Sequence, residues 1–334
     1  MENSKIFNVA LVGCGTISDN HLTALTNTPG VKVVALCDKI SDKANSKKEK
    51  YSLDCDVYTD YYEMINTVAL DAVHIATPHF LHAPMTIAAL KKNINVFLEK
   101  PMCISIEEIN ELIEEEKHSQ AKVCVCFQNR FIAAVEMAKK LIEEDGGIVS
   151  AYGSVFWERN EKYYTDSDWR GFYATEGGGV MINQAIHTID LLCQLLGTPK
   201  KLWATKANHH LKDIIEVEDT CEGVIEFDSG LRGNFYATTS FHGWDVTSVY
   251  IVTNKRKIEI RHPDIFVDGV KLDIESKKEV IGKACYGNGH QILISKFYDA
   301  LSCDDEMPVT LESAQYAIRI LLAAYKSNDN ETQI

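Results

Sequence analysis

The stretch Phe7-Asn8-Val9-Ala10-Leu11-Val12-Gly13-Cys14-Gly15-Thr16-Ile17-Ser18 passes from an apolar, β-rich run directly into glycines, and a helix-like segment follows from about Asp19. It reads as strand, tight turn and helix. That order sets unpaired helix N-terminal amides beside glycines that carry no Cβ, so a pyrophosphate can approach the backbone and meet the positive end of the helix dipole. The G-x-G-x-x-G pattern is met in part, with Ser18 at the third position, where a small side chain still permits close helix–strand packing. The next apolar run, Val31 to Cys37, ends at Asp38, about 20 residues beyond the turn, where a carboxylate can accept hydrogen bonds from a ribose 2′-hydroxyl. Gly13, Gly15, Thr16, Ile17 and Asp38 are therefore expected to hold a dinucleotide.

At 334 residues the chain exceeds the usual single-domain size, and two domains are expected. Its 46% apolar and 25% charged residues are those of a soluble globular protein, and a net charge of −14 argues against nucleic acid or an anionic membrane as partner. No signal-peptide pattern stands at the N-terminus, and no apolar run approaches the roughly 18 residues of a membrane span, so a cytoplasmic protein is expected. The ten cysteines lie in apolar segments without a CxxC pair. They are expected to be free and mostly buried, with no metal site.

After Asp38, strand-like and helix-like segments alternate. Ala72 to Ala76 stops at Thr77-Pro78, Asn95 to Leu98 stops at Glu99-Lys100-Pro101, Ser105 and Glu108 form a capping box, and Lys122 to Gln128 makes a further strand. This alternation predicts an α/β fold with a doubly wound parallel sheet of the Rossmann kind over residues 1–127. From about residue 148 long alternating segments follow one another instead: Ser150 to Arg159, Thr220 to Phe227, Leu231 to Ser240 and Ser248 to Arg261. Asp228-Ser229-Gly230 and Asp268-Gly269 supply hairpin-type turns. Residues 128–334 are expected to form an α+β domain with a large, mainly antiparallel open sheet. One face is expected under the helices at Ile182–Leu196, Ile292–Leu301 and Ala314–Tyr325. The other face, carrying Val249, Ile251, Ile258 and Ile260, is expected to be buried by self-association into a homodimer or homotetramer.

In doubly wound sheets ligands sit outside the carboxyl ends of the strands, which places Gly13–Ile17, Thr77-Pro78-His79 and Glu99-Lys100-Pro101 along one crevice. A lysine between a strand end and a proline has a restricted backbone and can aim its ammonium there. Further on, Glu176-Gly177-Gly178-Gly179-Val180-Met181-Ile182-Asn183-Gln184-Ala185-Ile186-His187-Thr188-Ile189-Asp190 sets three glycines before a helix with Asn183 and His187 at i and i+4, on one face. Gln128 and Arg130, at another strand end, join the cleft by position.

These segments, with Ala76-Thr77-Pro78-His79-Phe80-Leu81-His82, Trp169-Arg170-Gly171 and Tyr286-Gly287-Asn288-Gly289-His290, resemble the Gfo/Idh/MocA family of NAD(P)-dependent carbohydrate oxidoreductases over nearly the whole chain. The resemblance implies that Lys100 and His187 are the catalytic pair, with Asn183 standing where many members have aspartate. It implies a hydride transfer between a nicotinamide and a secondary alcohol or ketone of a sugar, polyol or sugar derivative. His187 would exchange the hydroxyl proton and Lys100 would hydrogen-bond the same oxygen. Thr77, Pro78, His79, His82, Glu99, Lys100, Gln128, Trp169 and Arg170 are expected on the cofactor side. Lys100, Arg130, Asn183, His187 and Tyr286 are expected on the substrate side. Asp38 favours NAD over NADP, because a 2′-phosphate would meet like charge, although Lys39 beside it softens that preference. The alternatives are a non-catalytic dinucleotide-binding regulator on the same fold and a reductase of a non-sugar substrate of the dihydrodiol or biliverdin kind. A regulator has no need of both Lys100 and His187.

Overall fold

A computed structural model describes residues 6–243, 246–274, 288–327 and 330–334. Strands β1 (Phe7–Val12), β2 (Val31–Cys37), β3 (Asp56–Tyr58), β4 (Ala72–Ile75), β5 (Asn95–Leu98) and β6 (Val123–Val125) form an all-parallel sheet in the order 3-2-1-4-5-6. The connecting helices are α1 (Ser18–Thr26), α2 (Ser41–Lys50), α3 (Tyr61–Thr67), α4 (His82–Leu90) and α5 (Ile106–His118). Helices on both faces explain why the strands are apolar throughout rather than alternating, as in the fully buried β4 and β6. The capping box holds: Ser105 Oγ accepts from Glu108 N at 3.2 Å, and Glu108 reaches back to Ile104 N at 2.9 Å. The strand order reverses between β1 and β4. A ligand crevice opens at such a point, outside the carboxyl ends of the strands.

The second sheet contains β7 (Ile148–Phe156), β8 (Pro199–Ala207), β9 (Thr220–Phe227), β10 (Arg232–Thr238), β11 (Val246–Thr253), β12 (Lys257–Arg261), β13 (Asp264–Val267), β14 (Val270–Lys271) and β15 (Thr332–Gln333), in the order 14-13-12-11-7-10-9-8-15. All its pairs are antiparallel except β7 with β10. The run Ser248 to Arg261 is two strands rather than one. Thr253 turns the chain, its N–H donating to Arg256 O at 3.0 Å while its hydroxyl accepts from Lys255 N and Arg256 N. At the β13–β14 hairpin, Asp268 and Gly269 have φ of 50° and 83°, the backbone that the Asp-Gly pair predicted.

Helices α6 (Ala133–Glu144), α7 (Glu161–Thr165), α8 (Ile186–Leu196), α9 (Gly289–Cys303) and α10 (Leu311–Ser327) complete the described chain. Helix α8 packs so closely under β7 that a Cβ on Gly153 would lie 2.4 Å from Thr188. Val249, Ile251, Ile258 and Ile260, expected on the open face, are instead buried on the helix side. Period-2 alternation separates two faces, and the helices here cover the aliphatic one. The outer face carries Tyr152, Tyr236 and Val252, together with Tyr250, whose ring stacks on Tyr152 at 4.5 Å and 8°. Helix α9 returns to the first sheet, where Tyr298 hydroxyl meets His74 Nε2 at 2.8 Å and its ring lies 5.5 Å from Phe7. All the described cysteines are free and buried except Cys303, which is exposed. Among the described residues no helix is long and apolar enough to cross a membrane.

Candidate active site

The crevice floor is the turn after β1. Gly13 has φ +90°, and a Cβ there would lie 2.3 Å from Ala76 O, so glycine lets the turn pass against the end of β4. Gly15 differs: a Cβ there meets nothing within 4 Å. Its backbone faces open space before α1, and that helix begins without a side-chain cap. Uncapped amides next to a bare backbone suit a pyrophosphate. Thr16 is exposed and Ile17 half-buried at the same mouth. Asp38 sits beside the turn, one carboxylate oxygen accepting from Cys14 N at 2.8 Å and the other from Ile40 N at 2.9 Å. Ionised carboxyl oxygens accept more than one bond each, so this geometry fits a ribose diol as well as the turn. Lys39 points instead to Asp168 at 2.6 Å, in a pair with both partners about 70% exposed.

Lys100 follows β5, and its peptide bond to Pro101 is cis. Its ammonium donates to Asn183 O at 2.9 Å and lies 3.5 Å from Asn183 Oδ1. Burial lowers its basicity, while the charges of Glu99 and Glu176 oppose that loss. Asn183 lies in a π turn, Met181–Ala185, that leads into α8. The turn starts tightly because Gly177 has φ +86° and a Cβ on Gly179 would lie 1.8 Å from Glu218 O. Glu218 replaces a side-chain cap, accepting from Gly179 N at 2.9 Å and Met181 N at 3.1 Å, and burial raises its carboxyl to about 7. One turn later His187 presents its ring edge-on to Phe127, at 6.0 Å and 87°. Its buried Nδ1 has no hydrogen-bond partner among the described residues. Burial first, and then the Lys100 charge, hold it well below the usual histidine range. A cation at the carboxyl end of β5 and a half-buried, neutral imidazole that feels its charge therefore stand near each other, which fits a site that binds an alcohol oxygen and moves its proton.

The expected cofactor-side residues divide. Trp169 packs against His79, ring centroids 4.7 Å apart, and Arg170 stacks over Tyr163 at 4.3 Å and Trp169 at 5.0 Å, forming one wall. His79 donates through Nδ1 to Glu176 O at 2.8 Å, and Thr77 and Pro78 are half-buried at the β4 end. His82 does not fit the expectation. Its ring nitrogens face Pro101 O at 2.6 Å and Thr77 O at 2.8 Å, so it sits between the two strand-end loops with neither nitrogen turned to a cofactor.

Glu99 is also turned inward. It meets His21 Nε2 at 2.9 Å and His290 Nε2 at 3.5 Å, and its other oxygen accepts from Lys100 N. Gln128 is buried, its amide oxygen accepting from Cys126 Sγ, beneath Gly289. Arg130, expected on the substrate side, is engaged within the fold instead. Its Nε and Nη2 donate to Asp190 at 2.8 and 2.6 Å, and Nη1 and Nη2 donate to Ser313 Oγ and O, both at 3.0 Å. A buried guanidinium so engaged is a tie between α8 and α10. Tyr286 lies outside the described residues. Two residues of the site carry no assignment from sequence: Tyr163, whose hydroxyl lies 3.3 Å from Asn183 Nδ2, and Glu176, quoted only as the start of the glycine motif. A tyrosine on a short helix carries no spacing signal, and Glu176 stands out only as an acid placed before an apolar, glycine-rich run.

Residues 7–127 match the family described as oxidoreductase family, NAD-binding Rossmann fold, and residues 135–259 match the GFO/IDH/MocA C-terminal domain. The chain is 34% identical over 135 residues to inositol 2-dehydrogenase of Salmonella typhimurium, a match that spans 40% of each chain. It is 29% identical over 259 residues to scyllo-inositol 2-dehydrogenase (NAD(+)) of Bacillus subtilis, covering 73% of this chain and 71% of that one. The WlbA dehydrogenase of Bordetella pertussis, solved with NADH and UDP-GlcNAcA, superposes with a TM-score of 0.88 at 25% identity over 100% of this chain and 99% of that one. With one half matching the family's Rossmann domain and the other its C-terminal domain, this chain belongs to the GFO/IDH/MocA family of NAD-binding oxidoreductases.

Proposed function

We propose that the protein is an NAD-dependent dehydrogenase that moves a hydride between the nicotinamide and a secondary alcohol or ketone of a sugar, polyol or sugar derivative. The observation that carries this reading is the Lys100 ammonium, anchored on Asn183 at 2.9 Å, one helical turn before His187, whose half-buried ring is near enough for the Lys100 charge to depress its basicity. The glycine turn and Asp38 would hold the pyrophosphate and ribose, and the bound nicotinamide would supply or accept the hydride. The chain's own residues do the rest. Lys100 offers a positive charge to the substrate oxygen as it becomes alkoxide-like. His187, kept neutral by burial, takes the hydroxyl proton during oxidation and returns it during reduction. Asn183 lacks a carboxylate's charge and therefore orients a hydroxyl rather than relaying a proton. The names of similar proteins, which include inositol, glucoside and levoglucosan dehydrogenases, support the substrate class.

A nicotinamide absorbance screen tests this, run with NAD and NADP against inositols, glucosides, anhydrosugars, sugar acids and nucleotide sugars. Turnover of a polyhydroxylated compound with a higher kcat/KM for NAD is the expected result. Tight NADH binding without turnover of any of these would favour a regulator, and equal kcat/KM for both cofactors would remove the role given to Asp38.

We also assign the protein to the cytoplasm, where buried free thiols stay reduced, and infer that it self-associates through the outer face of its second sheet. Tyr152 at 42%, Tyr236 at 37% and Val252 at 38% exposure stand on that face, and Phe241 at 44% lies against its Phe156 at 5.1 Å. Charges flank them, with Arg232 bonded to Glu226 and Arg261 to Glu259. An apolar centre with a charged rim is the anatomy of a subunit interface. Sedimentation at micromolar concentration should show a dimer or tetramer that the double change Tyr152→Glu with Tyr236→Glu reduces to monomers. A monomeric wild-type chain would refute the assignment.

A further inference from the structure

We propose that Glu176 is the positioning residue of the site: its carboxylate fixes the Asn183 amide so that the amide oxygen, and not the nitrogen, faces Lys100. This deepens the reading of Lys100 as the charge at the substrate oxygen and rests on it. Glu176 is buried, with its Oε1 only 2.6 Å from Asn183 Nδ2 and its Oε2 2.6 Å from Gly171 N. Burial raises the Glu176 carboxyl to about 7, against the pull of its bonds from Gly171 and Asn183; ionised above that pH it only accepts, so it selects the NH2 end of the amide, and the short separation is that of a charge-assisted bond. The oxygen end is then left 3.5 Å from Lys100 Nζ. Turning the amide over would press oxygen against carboxylate and NH2 against ammonium, two repulsions in place of two attractions.

Glu176 is itself held from both sides. The donor Gly171 has φ +85°, and a Cβ there would lie 2.7 Å from Ile215, so the loop presents its N–H only with glycine at that position. On the other side, His79 Nδ1 donates to the Glu176 carbonyl at 2.8 Å. The same string of atoms explains asparagine at 183. Aspartate there would set two carboxylates about a hydrogen bond apart in a buried site, where both cannot stay ionised. The negative charge stands one side chain further from Lys100, on Glu176, and the amide passes it on as an oriented dipole.

Exchanging the two residues, Glu176→Gln with Asn183→Asp, keeps every donor facing an acceptor. Gly171 N–H would reach the new amide oxygen, the new NH2 would reach the new carboxylate, and that carboxylate would face Lys100. Two measurements on the full chain, neither needing turnover, test the assignment. In competitive acetic anhydride labelling read by mass spectrometry, Glu176→Gln should move the Lys100 titration to lower pH by about one unit, because it removes a nearby anion and frees the amide to turn. In urea unfolding, Glu176→Gln and Asn183→Asp should each lower the midpoint, while the double exchange should return it close to wild type. An unmoved Lys100 profile would overturn the proposal, as would a double variant whose losses simply add. Failure of the reading of Lys100 itself would appear elsewhere, as persistent turnover in Lys100→Met.

Discussion

Lys100→Met is expected to fold, to bind NADH within about threefold of the wild-type affinity, and to lose at least about a thousandfold in kcat, or roughly 4 kcal/mol of transition-state stabilisation. The side chain is half-buried and methionine is close to the lysine stem in shape, so packing survives while the charge goes. What disappears is the cation that meets negative charge developing on the substrate oxygen in a partly desolvated crevice. That interaction strengthens as the oxygen becomes alkoxide-like, so kcat falls further than binding.

The pH profile gives a second readout. Burial is the larger cause of the depressed His187 basicity and the Lys100 charge the next. The neutral, proton-accepting imidazole therefore persists as pH falls through the ordinary histidine range, and wild-type alcohol oxidation should stay flat there. Removing the Lys100 charge raises the histidine's pKa, so the acid limb of any residual Lys100→Met activity should move to higher pH. Near wild-type turnover in Lys100→Met would sink the catalytic assignment, and an acid limb displaced downward would sink the electrostatic one.

Which features could be read from sequence follows from the range of the interactions that fix them. The β1 turn, the Ser105 cap and the Asp268-Gly269 hairpin are local, set by backbone freedom and side chains within a few residues, and all are present as expected. Lys100 and Asn183 meet because a strand end and a glycine-started helix each have one characteristic place in the fold. The misreadings concern partners distant in sequence. Arg130 sits at a strand end as a cleft residue would, yet Asp190, 60 positions away, takes its guanidinium. His82 and Glu99 stand beside the glycine crevice in sequence but turn toward Pro101, Thr77, His21 and His290. Alternation in β11 and β12 gave two faces without saying which of them α8 would cover, and the aliphatic residues proved to be the inner set. Glu176 was invisible as a positioning group because its meaning lies in a buried contact with Asn183, seven residues on, across a run of glycines and a π turn.

Gly13 and Gly15, alike in the motif, are expected to respond in opposite ways to alanine. At Gly13, φ of +90° is a conformation that alanine adopts only under strain, at about 1–3 kcal/mol. The added Cβ would also lie 2.3 Å from Ala76 O, 2.5 Å from Ala76 C and 2.9 Å from Thr77 N, all of them backbone. Those atoms have no room to yield, because Ala76 N donates to Val12 O and Gly13 N to Cys37 O, both at 2.8 Å. Strand ends β1, β2 and β4 would have to part at the point where the crevice opens. Gly13→Ala should therefore cost more than about 3 kcal/mol, lower the melting temperature by at least about 5 °C and abolish NADH binding. At Gly15 the φ is not in the left-handed region and a Cβ meets nothing within 4 Å, so alanine costs the fold little. Its methyl group instead fills space that the pyrophosphate would need against the backbone. Gly15→Ala should melt within about 2 °C of wild type and bind NADH at least about tenfold more weakly, the affinity loss expected for about 1.4 kcal/mol. Thermal melts and NADH fluorescence titrations of the two variants decide it. Equal melting losses would mean that Gly15 is a packing glycine like Gly13, and unchanged NADH affinity in Gly15→Ala would move the phosphate away from this turn.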